Sequence, residues 1–121
     1  TGIIRSLQDA GIQPVITHPE RHRLLRQNWA LLEQWVKQGA RVQITAQSLL
    51  GHFGERALEF SQRLLRRRLA HLVASDAHDC RRRPPRLDEA RDVVAQEYGP
   101  GVAAELFEEN PRKVLSGAEI P

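Results

Sequence analysis

The chain has a single cysteine, Cys80, which excludes an internal disulfide framework. That usage fits a reducing compartment, and we expect a cytoplasmic protein. No methionine occurs and the first residue is Thr1, so we expect a fragment of a longer protein. No run of about 18 apolar residues is present, so no membrane-spanning helix is expected. The start carries no signal-peptide pattern. Aromatics are scarce at 5%, limited to Trp29, Trp35, Tyr98 and three Phe. That leaves little to stack against nucleic-acid bases.

What is present is enough for a core: 40% of the 121 residues are apolar, which excludes a disordered tail. The length suits one domain or part of one. The net charge is +3, and all but Lys37 and Lys113 of the eighteen basic residues are Arg. Runs occur at 66–68 and 81–83. Such a balance permits a polyanionic partner such as phosphate or nucleic acid. A solvated surface is the plainer reading of the first run, which would close a helix where positive charge opposes the negative dipole end.

Punctuation by Gly, Pro and Asn divides the chain into alternating elements. Residues 3–10 read as the end of a helix closed by Gly11. Pro14-Val15-Ile16-Thr17 is a short β-branched run, a buried strand. Asn28 caps a helix through Leu31, Leu32, Trp35 and Val36, stopped by Gly39. Residues 41–45 form a second strand, and 49–54 a loop or short turn. A long helix carries Ala57, Leu58, Phe60, Leu64 and Leu65 on one side. Residues 71–75 are a third strand. Pro84-Pro85 enforces a loop up to Arg86. Helices are expected over 87–98, 102–108 and 111–115, with Asn110-Pro111 as a cap and first-turn proline. The β-α-β-α-β-α order predicts three parallel strands in a sheet or barrel, with helices outside. Three strands do not close a barrel, so further strands are expected upstream.

Parallel α/β folds bind ligands at the carboxyl ends of their strands. His18 follows the first strand directly, and Asp76 and His78 follow the third. In Asp-x-His both side chains leave an extended segment on one side. Carboxylate with imidazole suits zinc, manganese or iron. The competing reading is an ordinary hydrogen-bonded pair, with Asp76 capping a turn. Arg21 and Arg83 flank the same region, and guanidinium groups fit phosphate bidentately. Against that, Arg83 is one of a surface run, and Arg21 could pair with Glu20 or Glu33. His22 could support the site, whereas His52 and His71 read as loop and structural residues.

Cys80 to Arg86 matches the C-x5-R spacing of cysteine-dependent phosphatases, where backbone N–H groups cradle phosphate. Two of the intervening residues are Pro84 and Pro85, which have no N–H. The loop also lacks a glycine to let the backbone curl. We read the match as accidental.

The segments Ile16-Thr17-His18-Pro19-Glu20-Arg21-His22, Val42 to Gly51, Val73-Ala74-Ser75-Asp76-Ala77-His78, Arg83-Pro84-Pro85 and Glu108 to Leu115 together resemble a known family. It is that of the bacterial tyrosine phosphatases of capsular and exopolysaccharide biosynthesis, in the polymerase and histidinol phosphatase (PHP) superfamily. The resemblance covers nearly the whole chain. It implies the C-terminal part of a distorted (β/α)7 barrel over residues 1–121, and a trinuclear centre, commonly Mn2+, with Fe or Zn as alternatives. It implies phosphotyrosine hydrolysis on the tail of a bacterial tyrosine kinase, without nucleic acid. By position, His18, Asp76 and His78 correspond to metal ligands, and Arg21 and Arg83 to phosphate contacts. The triple Arg leaves Arg82 as the alternative to Arg83. The family's amino-terminal His-x-His and mid-chain ligands are missing from the sequence, so the isolated chain is expected to be inactive. Rival expectations are a PHP small-molecule phosphatase, such as one acting on histidinol phosphate, an Arg-rich nucleic-acid-binding module, and an inactive structural remnant.

Overall fold

In the computed structural model, residues 6–7, 9–74 and 87–121 are described. The expectations that fall on Ser75, Asp76, His78, Cys80 and Arg81–Arg86 lie outside them. Three strands, β1 (Val15–Thr17), β2 (Arg41–Thr45) and β3 (Leu72–Ala74), form one sheet in that order. Both pairings are parallel, with Ile16 opposite Val42 and Ile44 opposite Val73. The expected strands therefore form and pair as the alternation of elements requires, with β1 and β3 each beginning a residue later than expected.

Between β1 and β2 the chain makes a 3-10 turn (Pro19–Arg21), then helices α1 (Arg23–Gln27) and α2 (Trp29–Lys37). Asn28 caps α2, its side chain accepting the Leu31 N–H at 3.4 Å. Beyond β2 lie a one-turn helix α3 (Ala46–Leu49) and the long helix α4 (Glu55–Arg66). Helix α3 falls partly where a loop was expected. Its Ala46 and Leu49 are buried, and that burial holds a turn too short to persist alone. Gly54 enters α4 at φ 97 and ψ 169, a conformation open essentially to glycine only.

Helix α4 buries Ala57, Phe60, Leu64 and Leu65 against the sheet, while Leu58 is only partly covered. Leu32, Val42, Ile44 and Val73 complete the centre of the core with Ala90 and Val94 of α5 (Leu87–Tyr98). At the end of α4, Arg67 bonds Glu33 at 3.1 Å and lies over the Trp29 ring. The Arg66–Arg68 run thus terminates a helix, as its charge suggested.

The C-terminal helices correct the sequence reading. Segments α6 (Pro100–Ala104), a π turn (Glu105–Glu109) and α7 (Asn110–Ser116) follow one another without a break. Asn110 is helical and caps nothing. Its N–H reaches back to the Glu105 carbonyl, five residues away. The reason is Pro111: inside an α-helix its ring would meet the carbonyl four residues earlier. The widened turn relieves that clash and keeps the helix continuous. The buried Asn110 side chain instead donates to the His71 carbonyl at 2.7 Å, tying α7 to the start of β3.

Candidate active site

Strand β1 delivers its chain directly into His18, whose N–H donates to the Gln43 carbonyl at 2.7 Å and extends the β1–β2 pairing by one bond. There the chain turns sharply: His18 adopts φ 35 and ψ 57, the left-handed region that non-glycine residues rarely occupy. The strain is localised at a strand's carboxyl end, beside a proline that starts the 3-10 turn. His18 Nδ1 is buried and has no hydrogen-bond partner among the described residues. The His22 ring stacks on that of His18, centroids 5.3 Å apart and planes 16° from parallel. His22 thus supports the His18 ring from one side.

Glu20 sits in the same turn and is fully buried. Oε2 accepts the backbone N–H and the hydroxyl of Thr45, both at 2.9 Å. The Thr45 hydroxyl also meets Ser48 Oγ at 2.6 Å. Glu20 Oε1 is buried and unpartnered among the described residues. This carboxyl group fastens the turn after β1 to the last residue of β2. The sequence reading treated Glu20 only as a possible partner for Arg21 and missed this role. An acid directly after the proline that starts the turn was the available signal, but its burial is set by β2, which is remote in sequence.

Arg21 is exposed, and its guanidinium lies 4.2 Å from the centroid of Phe53. That contact packs a flat cation over an aromatic face. Glu33 bonds Trp29 Nε1 at 2.5 Å as well as Arg67. The Trp29 indole N–H and the Arg67 guanidinium hold its carboxyl below the usual range.

His71 is structural, as expected. Nδ1 accepts the Val42 N–H at 3.0 Å, so the ring is a neutral acceptor bridging β3's start to β2. Burial, with Arg41 nearby, pushes its pKa down to about 4. His52 is exposed in the loop before α4.

Of the predicted site residues, His18 and Arg21 are described and lie at the two ends of one short turn. Asp76, His78 and Arg83 lie outside the described residues. Among the described residues no group of three His, Cys, Asp or Glu side chains could hold a metal ion. The free, buried Nδ1 of His18 nonetheless fits a metal-binding imidazole, which needs an unprotonated nitrogen not committed to the protein.

A family model described as "Capsular polysaccharide synthesis, CpsB/CapC" matches residues 1–116. The tyrosine-protein phosphatase YwqE of Bacillus subtilis (strain 168) is 47% identical over 93 residues, covering 77% of this chain and 37% of that protein. The tyrosine-protein phosphatase CpsB of Streptococcus pneumoniae is 39% identical over 110 residues, covering 87% of this chain and 45% of that protein. A crystal structure from work on YwqE and CpsB, described as "unique metal-dependent tyrosine phosphatases", superposes with a TM-score of 0.92 at 41% identity. It covers 99% of this chain and 48% of the other. The chain thus spans less than half the length of these relatives.

Proposed function

The chain belongs to the CpsB/CapC family of capsular polysaccharide synthesis, and on that premise we propose that the whole protein is a metal-dependent protein-tyrosine phosphatase. Residues 1–121 are then the C-terminal part of a distorted (β/α)7 PHP barrel. The substrate is phosphotyrosine on a bacterial tyrosine kinase that regulates capsule or exopolysaccharide synthesis, and the enzyme works in the cytoplasm. The metal is Mn2+, in a trinuclear centre to which this chain supplies His18, Asp76 and His78.

The observation that carries this reading is the buried Nδ1 of His18 at the carboxyl end of β1, unpartnered among the described residues. An imidazole held rigidly by a strand end and a stacked ring, with a nitrogen left uncommitted, is arranged for a ligand. When bound, the metals would supply an activated water and Lewis-acid contacts to the phosphoryl oxygens. Arg21 would bind and orient the phosphate and neutralise charge that builds on it. Arg83 would make a second such contact. Glu20 would keep the His18–Arg21 turn in register with β2.

The test is hydrolysis of a phosphotyrosine peptide by the full-length protein. Activity should disappear on chelation and return with added manganese. Chelator-insensitive hydrolysis, or turnover of histidinol phosphate in preference to phosphotyrosine, would overturn the assignment.

A further inference from the structure

A groove beside the H-P-E-R turn has no part in the chemistry above. Its cavity, about 410 Å³, is lined by Arg23 and Arg26 from α1 and by Arg56, Arg63 and Arg66 from α4. Glu59 is the only acid in that lining. On α4 the three Arg fall at spacings of seven and three residues, which puts them on one helical face. At about 1.5 Å per residue the stripe runs roughly 15 Å, the length of four or five residues of an extended peptide.

Two of the five guanidinium groups are partly committed. Arg26 donates to the Glu20 carbonyl at 2.9 Å, and Arg63 lies over the Trp29 ring at 4.8 Å. Among the described residues, Arg23, Arg56 and Arg66 form no salt bridge. All three are exposed. A concave surface with five cations against one acid focuses positive potential and selects anions.

We propose that this groove docks an acidic stretch of the substrate polypeptide, beside the phosphotyrosine that enters the site. This rests on the protein-phosphatase reading above. Arg23 lies two residues beyond Arg21, and Arg26 holds the carbonyl of Glu20 within the turn that carries Arg21. The groove therefore adjoins the turn that would hold the phosphate. Guanidinium groups match carboxylates bidentately, which suits Asp or Glu side chains spaced along an extended strand. A nucleic acid fits the groove less well. Phe60, the one aromatic in the lining, is 5% exposed, and the Trp29 face is covered by Arg63 and Arg67. No base-stacking platform remains.

The test uses the full-length enzyme and phosphotyrosine peptides flanked by a run of glutamates or by a run of glutamines. p-Nitrophenyl phosphate serves as the small control. The glutamate peptide should show a KM on the order of tenfold lower at low ionic strength, an advantage that fades with salt. Arg23→Gln with Arg56→Gln should erase that advantage and leave p-nitrophenyl phosphate hydrolysis unchanged. Arg56→Glu should shrink the glutamate advantage further than Arg56→Gln does, since it adds a second acid to the lining. The inference is overturned if the Gln variants lose equally on both peptides, or if wild type does not distinguish them. It is also overturned if a single-stranded oligonucleotide competes as well as an unphosphorylated glutamate peptide. If the enzyme cleaves no phosphotyrosine peptide, the phosphatase reading fails. Fluorescence anisotropy with the unphosphorylated glutamate peptide then still decides the groove, since binding lost in the Gln variants supports it and no binding overturns it.

Discussion

Glu20 and Thr45, twenty-five residues apart, are joined twice: one carboxyl oxygen of Glu20 takes both the N–H and the hydroxyl of Thr45. The bond pair spans the carboxyl ends of β1 and β2, where His18 and Arg21 emerge. Glu20→Ala strands two buried donors and should destabilise the protein by about 3 kcal/mol. Glu20→Gln keeps an oxygen for both and should cost about 1 kcal/mol. Urea denaturation followed by circular dichroism checks the ranking, and equal losses would show that the carboxyl group is not the tie.

Arg21 has a different signature. Arg21→Ala in the full-length enzyme should lower turnover of a phosphotyrosine peptide while metal content, measured by plasma emission, stays near wild type. Unchanged activity would reduce Arg21 to its contact with Phe53. Arg83→Ala should behave in the same way, with Arg82→Ala as the control for the triple-Arg register.

Asp76 and Cys80 separate two chemistries. Asp76→Ala should lose on the order of 100-fold or more in turnover, together with metal affinity, judged from what metal activation of water contributes. Cys80→Ser should stay within a few-fold of wild type, because Pro84 and Pro85 cannot donate to a phosphate. A dead Cys80→Ser enzyme that ignores chelators would reinstate the C-x5-R motif.

His71 makes stability depend on pH. Its folded-state pKa is lowered from 6.5 to about 4, first by burial and then by Arg41. Below about 6.5 the unfolded chain takes up a proton that the folded ring resists. The contribution is therefore complete above that pH, is lost progressively as pH falls toward about 4, and then levels off. The ring is only partly buried, so the discounted loss should be on the order of 2 kcal/mol. His71→Asn, whose side-chain oxygen can still accept from Val42, should flatten the slope across that window. An unchanged slope would assign it to other groups.

Much of this was legible in the residues themselves. Short apolar runs placed all three strands, but the burial expected of β1 does not hold: at the end of the strand order it leaves Val15 and Thr17 exposed, and only β2 and β3 carry buried residues. The Asn28 cap and the end of α4 were equally local. The interruption at Asn110-Pro111 misled, since Pro usually ends helices, and only the π turn before it explains why this one continues. Helix α3 and the burial of Glu20 depend on contacts across the sheet, which no window of sequence contains. At the site, His18 and Arg21 stood out through position relative to a strand end. Their fastening by Glu20 did not, because an acid next to an Arg reads as an ion pair.

The left-handed backbone at His18 shapes what any substitution there would report. Alanine removes the imidazole but also places a residue poorly suited to φ 35, at a cost of roughly 1 kcal/mol or more. Asparagine tolerates that conformation far better. His18→Asn is therefore the cleaner probe of the side chain. In a saturation library, Asn and Gly at this position should fold best yet work no better than the rest, so that abundance and activity part company at a single codon.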